Sequence, residues 1–218
     1  MAKRFDKAVA IMRANPPHIN HTGMLRELCD VSGFVNVNLG SSNKFNKKNP
    51  FKVQEREDMM RLALSDYSNF EIFRLPDVGN DEEWFASLCK INSGFTQVMS
   101  NNDYDLRIYK AHQYTPGHEG ELAHKKYDII SPTDVFPREK IVYAKGILED
   151  GVMWKQARKP IYTSGTFVRA AMVNDWNWQD FVDPKVVEYI EKNGLVDRVK
   201  TLCSELKGIT LEQIDDGR

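Results

Sequence analysis

The amino-acid sequence predicts an α/β chain built on a three-layer, doubly wound parallel sheet, and three observations carry that prediction. Short apolar runs alternate with helical patterns four times in the first hundred residues, and short parallel strands need crossover helices between them. The length, 218 residues, gives room for one ordinary domain with an appendage. The composition, 41% apolar and 28% charged with eleven Phe, eight Tyr and four Trp, is globular and excludes a wholly disordered, collagen-like or coiled-coil chain.

The elements follow in order. Ala8–Met12 is a five-residue apolar run that ends at the Pro-rich turn Asn15-Pro16-Pro17-His18, so it reads as a buried strand. Met24, Leu25, Leu28 and Cys29 give a helix from about Thr22 to Asp30. Phe34–Gly40 alternates apolar and polar as a second strand, a polar, basic loop runs from Ser41 to Lys48, and a helix from Val53 to Leu64. Phe70–Leu75 is a third strand, Asp81–Cys89 a helix and Phe95–Met99 a fourth strand. After Asn102 the pattern breaks. Residues 103–127 are polar and rich in His, Tyr, Gly and Glu, and 129–155 look like strands around a Glu149-Asp150-Gly151 turn. The stretch 103–159 therefore reads as a β-rich insertion within a single domain. Helices resume at Thr166–Val173, at Pro184–Lys192 after an Asp183 cap, and at Leu195–Leu206.

Thirty Lys+Arg against thirty-one Asp+Glu leave a formal charge of −1, which argues against a strongly basic nucleic-acid partner but allows a local phosphate-binding patch. Three separated cysteines, Cys29, Cys89 and Cys203, read as reduced thiols. With no apolar leader and no run of ~20 apolar residues, the expectation is a soluble, cytoplasmic chain without a membrane partner.

Three segments carry chemistry. In Arg13-Ala14-Asn15-Pro16-Pro17-His18-Ile19-Asn20-His21, two imidazoles sit where the first strand passes into the first helix. The unpaired N–H groups and positive dipole end there attract phosphate. Alone, the pair reads more simply as surface imidazoles on a turn. Ser164-Gly165-Thr166-Phe167-Val168-Arg169 opens a later helix with small hydroxyl residues, Gly and a guanidinium fork, a phosphate-binding chemistry whose plain counterpart is a Ser/Thr helix cap. Gly40-Ser41-Ser42-Asn43-Lys44, with Asn49-Pro50-Phe51…Glu55-Arg56 beyond it, taken alone is a polar loop and a helix start.

Together and in this order, these segments resemble the H-x-G-H nucleotidylyltransferase superfamily, most closely the archaeal-type nicotinamide-nucleotide adenylyltransferases. Pro76-Asp77…Trp84, Ser100-Asn101-Asn102 and Trp178…Val182-Asp183-Pro184 extend the likeness over about residues 7–102 and 160–206. The sequence departs from the pattern at Met12 and Asn20, each in place of a Gly, and in the length of 103–159, which exceeds that of the short archaeal enzymes. At position 20 the expectation is that Asn, which tolerates φ > 0, preserves the turn.

The resemblance implies a Rossmann-like fold in which the loops at 13–21 and 40–49 open onto one crevice. It implies AMP transfer from ATP to nicotinamide mononucleotide (NMN), giving NAD and pyrophosphate. His18, His21, Arg13 and Arg169 would be catalytic. Asn15, Gly40, Ser41, Ser42, Asn101, Asn102, Ser164, Gly165 and Thr166 would bind nucleotide and phosphate, and Asp77 and Trp84 the acceptor. Mg²⁺ would arrive with the triphosphate, with no protein metal site, and a homo-oligomer is allowed. For Trp84, core packing beside Phe85 is an even alternative. His112, His118 and His124 read as a solvated loop rather than a metal site. The rival functions are transfer from ATP or CTP to another phosphate-bearing acceptor, and a nucleotide sensor that lost turnover through Met12 and Asn20.

Overall fold

The computed structural model describes residues 3–100, 102–114, 125–141, 163–210 and 213–214. They divide into two compact units, and the chain passes between them repeatedly: unit 1 holds 1–12, 24–43 and 66–139, and unit 2 holds 13–23, 44–65 and 140–218.

Unit 1 is a five-stranded parallel sheet. Its strands are β1 (Phe5–Met12), β2 (Ser32–Leu39), β3 (Phe70–Arg74), β4 (Gln97–Met99) and β5 (Asp128–Ile130), in the order β3-β2-β1-β4-β5. β1 lies at the centre, with Ala10 opposite Val37 of β2 and opposite Met99 of β4. A central strand is covered on both faces, which is why β1 carries the unbroken Ala8-Val9-Ala10 run, each fully buried. The strand order reverses at β1, so the switch point where doubly wound sheets bind ligands lies beyond the carboxyl ends of β1 and β4.

One face of this sheet is covered by α3 (Asp81–Ile91) and α4 (Asp103–His112). Val9 and Val98 pack there against Leu75, Phe85, Leu88, Ile108, Tyr109 and Tyr127. A reciprocal amide pair is buried at the same level, Asn38 Nδ2 donating to Asn92 Oδ1 at 2.9 Å and Asn92 Nδ2 to Asn38 Oδ1 at 3.0 Å.

The sequence places a break after Asn102, and this is corrected: residues 103–112 are a regular helix and 128–130 the fifth parallel strand, so the doubly wound pattern continues. α4 was hidden by its polar composition and β5 by its shortness. α4 buries only Ile108 and Tyr109 among polar neighbours, and β5 is three residues long. The Glu149-Asp150-Gly151 turn lies outside the described residues.

Unit 2 is helical. It contains α2 (Val53–Ala63), α5 (Gly165–Val173), α6 (Pro184–Lys192) and α7 (Leu195–Leu202), around a core of Phe51, Met59, Phe167, Val168, Ala171, Met172, Phe181, Val186, Ile190 and Val199. α5 buries every residue from Phe167 to Val173, so it is the central helix of the unit and its first turn is held firmly. Glu55 closes α2 by accepting from Lys52 N at 2.8 Å, and both its oxygens accept from Arg198 Nη1, at 2.7 and 2.6 Å. The helix α1 (Ile19–Val31) begins in unit 2 and continues in unit 1.

Candidate active site

Within unit 2, two helix N-termini are joined through the turn at 13–18. His18 precedes α1, and its carbonyl accepts from Thr22 N at 3.0 Å. Ser164 caps α5, its Oγ accepting from Phe167 N at 3.2 Å. Neither helix has an acidic residue in its first turn, so neither positive dipole end is neutralised by its own first turn.

The turn is fastened from several sides. Arg169 Nη1 donates to Asn15 O at 2.6 Å, and Nη2 donates to Thr166 Oγ1 at 3.2 Å. Asn15 Nδ2 donates to Asn49 Oδ1 at 3.1 Å, and Asn15 Oδ1 accepts from Phe51 N at 3.2 Å. Arg56, fully buried, donates from Nη1 to Arg13 O at 2.7 Å. Ala14 is held at φ 50°, and the Asn15–Pro16 peptide bond is cis. A Cβ on Gly165 would stand 2.9 Å from Asn15 O and 3.3 Å from Arg169 Nη1. Glycine is therefore required there by close approach of the turn.

His18 and His21 stack with ring centroids 3.7 Å apart and planes 29° from parallel. Burial draws the His18 pKa well below 6.5, with the neighbouring His21 adding to the effect, and burial alone brings His21 down to about 4. Both rings are neutral at pH 7, each with one N–H to donate. Both Nδ1 atoms are buried with no hydrogen-bond partner among the described residues.

Arg169 is 8% exposed and its Nε has no partner among the described residues. Burial lowers its pKa and Arg13 lowers it further, while the Cys203 thiol and the Glu205 carboxylate oppose this. Cys203, fully buried, also donates to Lys47 O at 3.2 Å. No carboxylate of the described residues forms an ion pair with Arg169. A buried guanidinium of this kind, with a second one close by, calls for an anion. A phosphate supplies both the charge and the fork geometry.

The other site residues lie in unit 1. Gly40 N donates to Met12 O at 2.9 Å and Ser42 N to Leu75 O at 3.1 Å, continuing the ladder past β2 and β3. Ser41, at φ 50°, donates to Asp77 Oδ1 at 3.1 Å. Asn43 binds both backbone groups of Asp77, at 2.9 and 3.0 Å. Asn102 uses its side-chain oxygen to cap α4, accepting from Tyr104 N and Asp105 N at 2.9 and 3.3 Å. Trp84 is half-buried against the unit 1 core, its ring tilted over Tyr109 at 6.4 Å. Asn101 lies outside the described residues. Among the described residues, no three His, Cys, Asp or Glu side chains converge to hold a metal ion.

The expectation for Asn20 is corrected. It lies inside α1 and is not among the residues at positive φ. The left-handed residue of this turn is Ala14. Asn49, Arg56, Thr163 and Cys203 complete the surroundings of the turn and were not read as site residues. Asn49 and Arg56 stood in the quoted Asn49-Pro50-Phe51…Glu55-Arg56 motif, the one signal that could have found them.

Fold and site define a Rossmann-like α/β class with a tightly fastened, imidazole-bearing turn after the first strand. No family model matches the sequence. The chain is similar to nicotinamide-nucleotide adenylyltransferase of Thermococcus sibiricus, 23% identical over 206 residues spanning 92% of this chain and 91% of that protein. It is also similar to nicotinamide-nucleotide adenylyltransferase of Picrophilus torridus, 24% identical over 199 residues spanning 90% and 96%. The resemblance carried by the motifs thus holds along about nine tenths of the chain. Among solved structures, a bifunctional NMN adenylyltransferase/ADP ribose pyrophosphatase from Francisella tularensis matches with TM-score 0.59 and 17% identity over 92% of this chain. This chain spans only 53% of that bifunctional one. Plasmodium falciparum nicotinic acid mononucleotide adenylyltransferase matches with TM-score 0.52 and 10% identity, over 89% of this chain and 98% of that one. These likenesses show the fold. No helix among the described residues is long and apolar enough to cross a membrane.

Proposed function

We propose that the chain is an adenylyltransferase that moves AMP from ATP to NMN, giving NAD and pyrophosphate. The observation that carries this is Arg169, a buried guanidinium that forms no ion pair with a carboxylate of the described residues, at the N-terminus of α5, whose first turn holds no acidic residue. It is bonded to the turn that leads to His18 and His21. The names of the relatives supply the acceptor.

The acceptor phosphate attacks the α-phosphorus in line and pyrophosphate leaves, with no covalent enzyme intermediate. The protein contributes positioning and charge stabilisation. His21 and His18 donate hydrogen bonds to phosphate oxygens as charge moves toward the leaving group. Arg13 and Arg169 clamp the β- and γ-phosphates, assisted by Ser164 and Thr166. Asp77 and Trp84 keep the acceptor role that the resemblance implies, and Asn102 acts through the backbone it caps. Around the turn the donors are imidazole, hydroxyl and guanidinium, which do not suit Mg²⁺. A divalent ion accompanying the triphosphate would be held by phosphate oxygens and water, and no step here runs through a protein-bound metal.

A panel of nucleoside triphosphates against NMN and other phosphate esters, scored by pyrophosphate release, tests the proposal. ATP with NMN is expected to be the fastest pair. A faster CTP reaction or a different acceptor would replace it, and ATP binding without turnover on any acceptor would favour a sensor.

A further inference from the structure

Asn20 stands where the resembling motif has glycine, and the structure gives its side chain a task that glycine cannot perform. It is 3% exposed in the first turn of α1, and its Nδ2 donates to Thr163 O at 3.3 Å. Thr163 is itself fully buried and directly precedes Ser164, the cap of α5. A buried carbonyl outside regular structure needs a donor, and the amide provides one. The same two helix ends are joined a second time by Arg169 Nη1 donating to Asn15 O at 2.6 Å. One bond thus runs from α1 to the approach of α5, and the other from α5 back to the approach of α1. Two bonds of opposite direction fix a spacing that one alone would leave free to pivot.

We infer that Asn20 is a positioning residue, which holds the N-termini of α1 and α5 at the separation required to grip one polyphosphate. This rests on the proposed function, since the grip is for the triphosphate. Charge stabilisation depends on donors held to within a fraction of an ångström, so loss of the tie is felt in the nucleotide and not in the acceptor.

The test compares wild type with Asn20→Ala, Asn20→Gly and Asn20→Asp. Alanine favours the helix more than asparagine does, so Asn20→Ala removes the tie without weakening α1. Binding of a non-hydrolysable ATP analogue is measured by calorimetry, together with kcat, both KM values and the melting temperature. Asn20→Ala is expected to lower kcat/KM for ATP about tenfold, the scale of one buried hydrogen bond, with the acceptor KM unchanged and folding retained. Asn20→Asp, which keeps the shape but cannot donate, should lose more. Wild type that fails to bind the analogue sinks the functional proposal itself. Wild type that binds, with Asn20→Ala equally tight and equally fast, overturns the positioning role alone. Equal losses for both substrates that track a lowered melting temperature also overturn it, by making Asn20 merely structural.

Discussion

His18 and His21 face each other at 3.7 Å, and neither is charged at neutral pH, because burial removes the water that would stabilise an imidazolium. Such a pair donates without bringing two positive charges into contact. His21→Ala is expected to lower turnover by ~10²–10³, the usual effect of losing one charge-stabilising donor, in a protein that still folds. Near-wild-type turnover in the folded variant would remove His21 from the chemistry. Trp84 makes the complementary case. Half-buried against Tyr109, it is expected on replacement by Ala to raise the KM for NMN with little change for ATP. Its stability cost should stay below the ~3–5 kcal/mol of a fully buried Trp. A full-sized stability loss with unchanged KM would make it a core residue only. The imidazoles, Ser164 and Arg169 were legible because their types follow a motif with fixed spacing. The bonds that hold them were not: Arg169 reaches Asn15 across 154 positions and Arg56 reaches Arg13 across 43, and no periodicity encodes such a pairing.

The elements were read well wherever apolar residues form an unbroken run or a clear stripe. β1, β2, α3 and α5 carry long apolar runs or stripes, and their positions were legible to within a few residues. α1 begins at Ile19 rather than near Thr22 because its first turn is made of His and Asn. Those are weak helix formers, so the helical pattern shows only after them. α4 was missed because only Ile108 and the fully buried Tyr109 face the core, and β5, though read as strand-like from 129, is too short to stand out as a fifth parallel strand. The Tyr109 hydroxyl has no hydrogen-bond partner among the described residues, while the backbone carbonyl of Tyr109 accepts from Tyr127 Oη at 2.8 Å. A buried hydroxyl without a partner costs ~1–3 kcal/mol. Tyr109→Phe is therefore expected to leave the melting temperature unchanged or raise it. A fall of several degrees would show that the hydroxyl is bonded.

At the scale of the whole molecule, the two depressed imidazoles link stability to pH. As pH falls below about 6.5 the unfolded chain takes up protons on both histidines, while folded His21 resists until about 4. The unfolded state binds more protons in that window, so this contribution to stability is complete above about 6.5 and is lost as pH falls toward 4. Denaturant midpoints between pH 7 and 4.5 should fall more steeply for wild type than for a His18→Gln, His21→Gln double variant. Parallel slopes would contradict the buried, neutral pair. Topology was legible at this scale, because alternation and right-handed crossovers leave few arrangements for a parallel sheet. The division into two interleaved units was not, since it depends on contacts between distant segments. The central claim is that an adenylyl group is transferred, and the most direct measurement supplies ATP labelled at the α-phosphorus together with NMN. Label is expected in NAD in step with release of unlabelled pyrophosphate. Label that stays in ATP, or appears only in free AMP or ADP, would contradict it.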